Sequence, residues 1–213
     1  MPVDHVDAYC ERLGIGLLAE PWNAVSNAAF LVAAVLLWLR YRPRPRSLRA
    51  LPVLLALVGL ASLSFHTFAN TITNAADVGF IAVFVLWYLV CFAHWYLGFG
   101  WAKSWLVVPA FAVLAAVTLP LANLIPGGSG GYLAPLLALI TIAVVAAVRR
   151  QPWTDLAAAA VVFVVSLTVR TLDQPLCADW PSGTHYGWHT LNAVVLFLVS
   201  RAAIRHAREA GRP

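Results

Sequence analysis

Apolar residues run along the chain in seven windows of about the length that spans a bilayer as a helix, roughly 20 residues. Each is bounded by charge, Gly or Pro: 22–39, 51–68, 75–95, 105–124, 132–148, 156–172 and 186–204. Between them lie a basic stretch at 40–49, short connections at 69–74 and 98–104, a Gly-rich turn at 125–131, a polar turn at 149–155 and a longer connection at 173–185. None has room for a soluble domain. The pattern predicts an all-α integral membrane protein, a seven-transmembrane helix bundle forming one domain over 1–213, with an outer segment 1–21 and a tail 205–213.

Composition points the same way. The 213 residues are 62% apolar and 11% charged, with a mean hydropathy of +0.80. Soluble domains are about 45–50% apolar and about 25% charged, so a water-soluble globule is excluded. Disorder is excluded too, because apolar surface to bury is abundant. If alternate connections lie on opposite faces, one face receives Arg40, Arg42, Arg44, Arg46, Arg49, Lys103, Arg149, Arg150, Arg201, Arg205, Arg208 and Arg212, a count of 12, and the other only Arg12 and Arg170, a count of 2. Basic residues favour the cytoplasmic face, which predicts the C-terminus in the cytoplasm and the N-terminus outside. The net charge of +5 then follows from topology and does not point to nucleic acid. The first 20 residues carry Asp4, Asp7, Glu11 and Glu20 without a basic lead into an apolar core, unlike a cleaved signal peptide.

Ionisable groups inside a membrane are costly and therefore candidate functional sites. His66 falls at the outer end of the second window, Asp77 at the outer start of the third, and His185 and His189 at the start of the seventh. The i,i+4 spacing of His185-Tyr-Gly-Trp-His189 puts two imidazoles on one helical face, about 6 Å apart along the axis. With His66 they make a three-histidine set that leaves a fourth tetrahedral position open, as in catalytic zinc sites; iron, nickel and copper accept the same ligands. Asp77 reads either as a helix cap or as an acid/base beside a metal. Ser62, one turn before His66, reads either as a donor to a developing oxyanion or as a hydroxyl bonded to its own helix. His94 lies 17 residues beyond Asp77, roughly 25 Å deeper, out of reach of the others. His5 and His206 fall in the tails.

Cys10 and Cys177 both fall on the outer side, where a disulfide and two free thiols are both open readings; Cys91 reads as an apolar filler. Asp7, Glu11 and Glu20 are compatible with oxygen ligation of calcium, or with a solvated acidic tail.

Several runs resemble a known family. Tyr9-Cys10-Glu11, then Glu20-Pro21-Trp22-Asn23 and Ser26-Asn27, is similar to the opening of the alkaline ceramidases, within the seven-helix membrane hydrolases that include the adiponectin receptors. Ser62-Leu-Ser-Phe-His66 with Asp77, and Asp173 with Cys177 and His185-Tyr-Gly-Trp-His189, resemble that family's second and third motifs. The resemblance implies an intramembrane zinc amidase that splits ceramide or a ceramide-like lipid into a fatty acid and an amino alcohol. His66, His185 and His189 would be the zinc ligands, Asp77 the acid/base and Ser62 the group near the attacking water and oxyanion. It also implies a Cys10–Cys177 disulfide and a calcium site using Glu11 and Glu20, with Asp7 matching at a one-residue offset and Leu13 standing where an oxygen ligand is expected. The Arg- and Ala-rich composition suits a bacterial inner (plasma) membrane protein with its site near the periplasmic face. The partner is a membrane lipid; the sequence does not define an oligomeric state. Two rivals stand beside this reading: a lipid-sensing receptor with a vestigial hydrolase centre, and a b-type haem protein.

Overall fold

A chain that crosses lipid must satisfy its peptide groups internally, and a helix does so within each segment. The computed structural model describes residues 4–209, among which seven helices are long and apolar enough to cross a membrane: α1 Pro21–Tyr41, α2 Arg46–Phe68, α3 Thr71–Trp95, α4 Trp101–Ala122, α5 Ser129–Val148, α6 Thr154–Thr171 and α7 His185–Glu209. This is the architecture of a multi-pass integral membrane protein.

The helices begin earlier than hydropathy suggests, because caps rather than apolarity set their ends. α2 starts at Arg46, where extended Pro45 accepts Leu48 N at 3.0 Å and Arg49 N at 2.9 Å. α3 starts at Thr71 because Asn70 and Thr73 form a reciprocal capping box: Thr73 N donates to Asn70 Oδ1 at 2.9 Å, and Asn70 N to Thr73 Oγ1 at 3.2 Å. Asp77 therefore sits nearly two turns inside α3 and does not cap it. α7 extends to Glu209, so residues 205–209, expected as a tail, are helical; 210–213 lie outside the described residues.

α7 is the axis of the bundle, packing on α1, α2, α3 and α6. In its most apolar window 67% of residues are buried, against 6% in α4, which lies at the periphery. The helix most shielded from lipid carries two of the three histidines and Asn192. α1 and α2 cross closely at Gly59, where a Cβ would fall 2.7 Å from Phe30 Cβ and 3.3 Å from the Asn27 carbonyl oxygen.

The connections sort into two ends. One holds the N-terminal segment and the α2–α3, α4–α5 and α6–α7 connections, and with them the three histidines. The other holds the basic connections and a two-bond pair from Arg201 on α7 to Asp155 on α6, at 2.8 and 2.6 Å. His94, expected to stand apart from the other histidines, stacks there on Trp101 with ring centroids 3.9 Å apart.

Gly59→Val should force α1 and α2 apart and cost about 1–3 kcal/mol by overpacking. Thermal unfolding in detergent would read this as a lower midpoint; an unchanged midpoint would contradict the close crossing.

Candidate metal centre

His66 at the end of α2 and His185 and His189 in the first turns of α7 converge at the N-terminal end of the bundle. Each offers a ligand nitrogen, and these atoms all lie within 4.8 Å of one another. All three side chains are buried, His66 at 0% exposure and the other two at 2%. Their ring centroids are 4.5, 4.6 and 5.3 Å apart. A tetrahedral zinc site, with bonds of about 2.0–2.1 Å, needs its nitrogens about 3.4 Å apart, so small side-chain rotations would close this set on one ion.

The surrounding hydrogen bonds fix which nitrogens face inward. His66 Nδ1 meets Glu20 Oε2 at 2.5 Å; a carboxylate only accepts, so Nδ1 carries the proton and the Nε2 lone pair is free. Nε2 is in fact buried without a partner. His189 Nδ1 meets Ser26 Oγ at 2.8 Å, and the Ser26 hydroxyl donates to the Asn23 carbonyl at 2.8 Å. Ser26 therefore accepts from His189 Nδ1–H, leaving Nε2 as the ligand nitrogen. His185 has its buried Nδ1 unpartnered. Orphaned imidazole nitrogens inside a dry bundle are expensive unless something binds them, and these fit a borderline divalent metal.

The N-terminal segment locks this arrangement in place. Glu20, 1% exposed, pairs with Arg12 Nε and accepts Asn23 Nδ2 at 2.9 Å, while Arg12 Nη2 donates to the His66 carbonyl at 3.0 Å. Burial would raise the Glu20 carboxyl, but the hydrogen bonds from His66, Asn23 and Arg12 outweigh it and hold the group below its ordinary value. Tyr9 stacks on His185 with centroids 3.6 Å apart, and burial pushes its hydroxyl above its ordinary value. The Cys10–Cys177 disulfide ties the segment to the loop before α7. Asp173 completes the knot: Oδ1 accepts Thr184 N at 2.7 Å and His185 N at 2.9 Å, and Oδ2 accepts Cys10 N at 3.1 Å. That carboxylate caps the helix carrying two of the histidines. Gly183, at φ +61°, is needed beside it, since a Cβ there would lie 2.7 Å from Cys10 Cβ and collide with Asp173.

Asp77 and Ser62 fall beside the histidines. The Asp77 carboxyl has His66, Ser62 and Arg170 as electrostatic neighbours, and its Oδ1 is buried without a partner. Ser62 is buried one turn before His66. A small apolar cavity of about 60 Å³ lies between α3, α5, α6 and α7; Phe84, Tyr88, Tyr132, Leu196 and Asn192, one turn past His189, are among the residues lining it.

The acidic residues expected to hold calcium are used otherwise. Glu11 caps α1, accepting Trp22 N at 2.6 Å and Asn23 N at 2.8 Å, and burial, only partly offset by those bonds, raises its carboxyl. Both Glu20 oxygens face protein donors, and Arg12 supplies the positive charge a cation would bring; Asp7 is exposed. The geometry does not support calcium at these positions. Arg12, Ser26, Asp173 and Tyr9 are the site residues whose roles the sequence did not disclose, although Arg12 was conspicuous as one of two basic residues on its face.

Comparison with protein-family models and with curated proteins returns no match to either. The fold and site therefore define the class: a multi-pass membrane protein with a buried three-histidine group placed to hold a metal ion.

Arg12→Met leaves Glu20 buried and short of its cation, a loss of about 3–5 kcal/mol when one member of a buried pair is removed. Glu20→Gln should weaken metal affinity about 10–100-fold through His66. Melting curves and metal titrations check the two; wild-type values in both variants would contradict the relay.

Proposed function

We propose that the protein is an intramembrane zinc-dependent amidase that hydrolyses the N-acyl bond of ceramide or a ceramide-like lipid to a free fatty acid and an amino alcohol. The observation that carries this is the group of three buried imidazoles with inward nitrogens, next to an aspartate whose Oδ1 is buried and unpaired. The motif resemblance at Ser62, His66, Asp77, His185 and His189 supports the same chemistry. The 12 to 2 sorting of basic residues supports a bacterial plasma membrane orientation with the site toward the periplasm.

Zinc held by His66, His185 and His189 would supply Lewis acidity, making a water nucleophilic near neutral pH and polarising the amide carbonyl. The protein's own groups do the rest. Asp77 takes the proton of the attacking water and returns it to the amine nitrogen as the C–N bond breaks, so that one water is consumed for each amide cleaved. The Ser62 hydroxyl donates to the carbonyl oxygen as it gains charge. Glu20 and Ser26 hold two ligand tautomers without reorganisation, and the apolar walls of the small cavity offer a surface that suits part of an acyl chain.

His189→Ala should lose both bound metal and turnover, measured by elemental analysis and by mass spectrometry of released fatty acid. Asp77→Asn should keep the metal while turnover falls about 10²–10⁴-fold. Full turnover in a metal-free His189→Ala protein would overturn the proposal, as would zinc-loaded wild type that releases no fatty acid from any N-acyl amino alcohol.

A further inference from the structure

The two basic residues at the histidine end are used differently. Arg12 gives its Nε, Nη1 and Nη2 to protein acceptors. Arg170, in the last turn of α6, gives Nη1 to the Gly127 carbonyl and to Ser129 Oγ, the latter at 3.0 Å. Its Nε is buried and has no partner. Among the described residues no carboxylate lies within ion-pair distance of it.

It lies against two aromatic rings, one of which also lines the apolar cavity. The guanidinium carbon lies 5.3 Å from the Tyr132 ring and 5.7 Å from the Trp188 ring. Tyr132 also lines the cavity, and Trp188 immediately precedes the ligand His189. Tyr9 and Asp77, beside the histidines, are among its electrostatic neighbours. Pinning the 127–129 turn occupies Nη1 alone; with Tyr9 as a hydrogen-bonding neighbour, Asp77 as an electrostatic one and no carboxylate in ion-pair contact, the cation still keeps an unsatisfied buried Nε where such groups are costly. A planar guanidinium with an unsatisfied Nε matches a carboxylate oxygen, and one positive charge balances one negative charge.

We propose that Arg170 is a carboxylate-binding subsite beside the metal centre, taking the carboxylate of a single-chain lipid. Two sources share that chemistry: the acidic head group of an N-acyl amino acid, and the fatty acid released by amide cleavage. Naming these sources rests on the amidase reading; the binding itself does not.

Calorimetry on the purified protein in detergent tests it with lipids that cannot be hydrolysed. Dodecanoate is compared with dodecanol for the product, and dodecyloxyacetate with 2-(dodecyloxy)ethanol for the head group. Wild type should bind the carboxylate of at least one pair about tenfold or more tightly than its alcohol, the size expected of a charge-assisted hydrogen bond. Arg170→Gln should bind both members equally, and Arg170→Lys should keep part of the preference. The pair that shows the preference identifies the source. Equal binding by wild type overturns the proposal without recourse to any variant, and so does a preference that survives in Arg170→Gln with an unchanged melting point. Binding preference without amide hydrolysis would remove the amidase reading and leave the subsite standing.

Discussion

Of three buried imidazoles pressed together in a helical bundle, two are held by what accepts their outer N–H groups. Glu20 and Ser26 take the Nδ1 protons of His66 and His189, which turns the Nε2 lone pairs toward a common point. In water the same rings would exchange tautomers and partners freely; in an apolar interior the acceptor decides the tautomer. Every other feature of the site follows from supplying those acceptors. Glu20 has to be ionised to accept, and Arg12 makes its burial tolerable. Arg12 arrives on a segment that precedes the first membrane helix, so that segment has to be fastened down.

The fastening is distributed over covalent, ionic and aromatic contacts. The Cys10–Cys177 bond closes a loop of 167 residues in sequence separation, joining the segment to the connection that starts α7. Asp173 binds the backbone of both sides at once, and the Tyr9 ring lies on His185. One consequence is that the α6–α7 connection is organised as part of the site. Arg170 at the end of α6 bonds the turn leading into α5, and Asp173, three residues on, bonds the start of α7.

Much of this fold is legible in the sequence because lipid imposes a length and polarity rule with few solutions. All seven helices lie where apolar windows fall, and the i,i+4 pair on α7 with His66 on α2 meets as spacing and depth required. Helix starts were less legible, since they depend on side chains such as Asn70 and Thr73 that bond locally and contribute nothing to hydropathy. Asp77 illustrates the point: it opens the apolar run, but the capping box lies seven residues earlier. The roles of Arg12, Ser26 and Asp173 were not legible, because each depends in part on a partner 54 to 163 positions away in the chain. Glu11 and Glu20 show the converse, as acidic residues close in sequence whose oxygens are consumed by a helix terminus, a histidine and an arginine.

X-ray absorption at the zinc edge of the purified, zinc-loaded protein tests the centre most directly. One zinc per chain with three imidazole nitrogens at about 2.0–2.1 Å is the expected result. A protein that retains no zinc, or a zinc surrounded by carboxylate oxygens with fewer than three imidazoles, would contradict it.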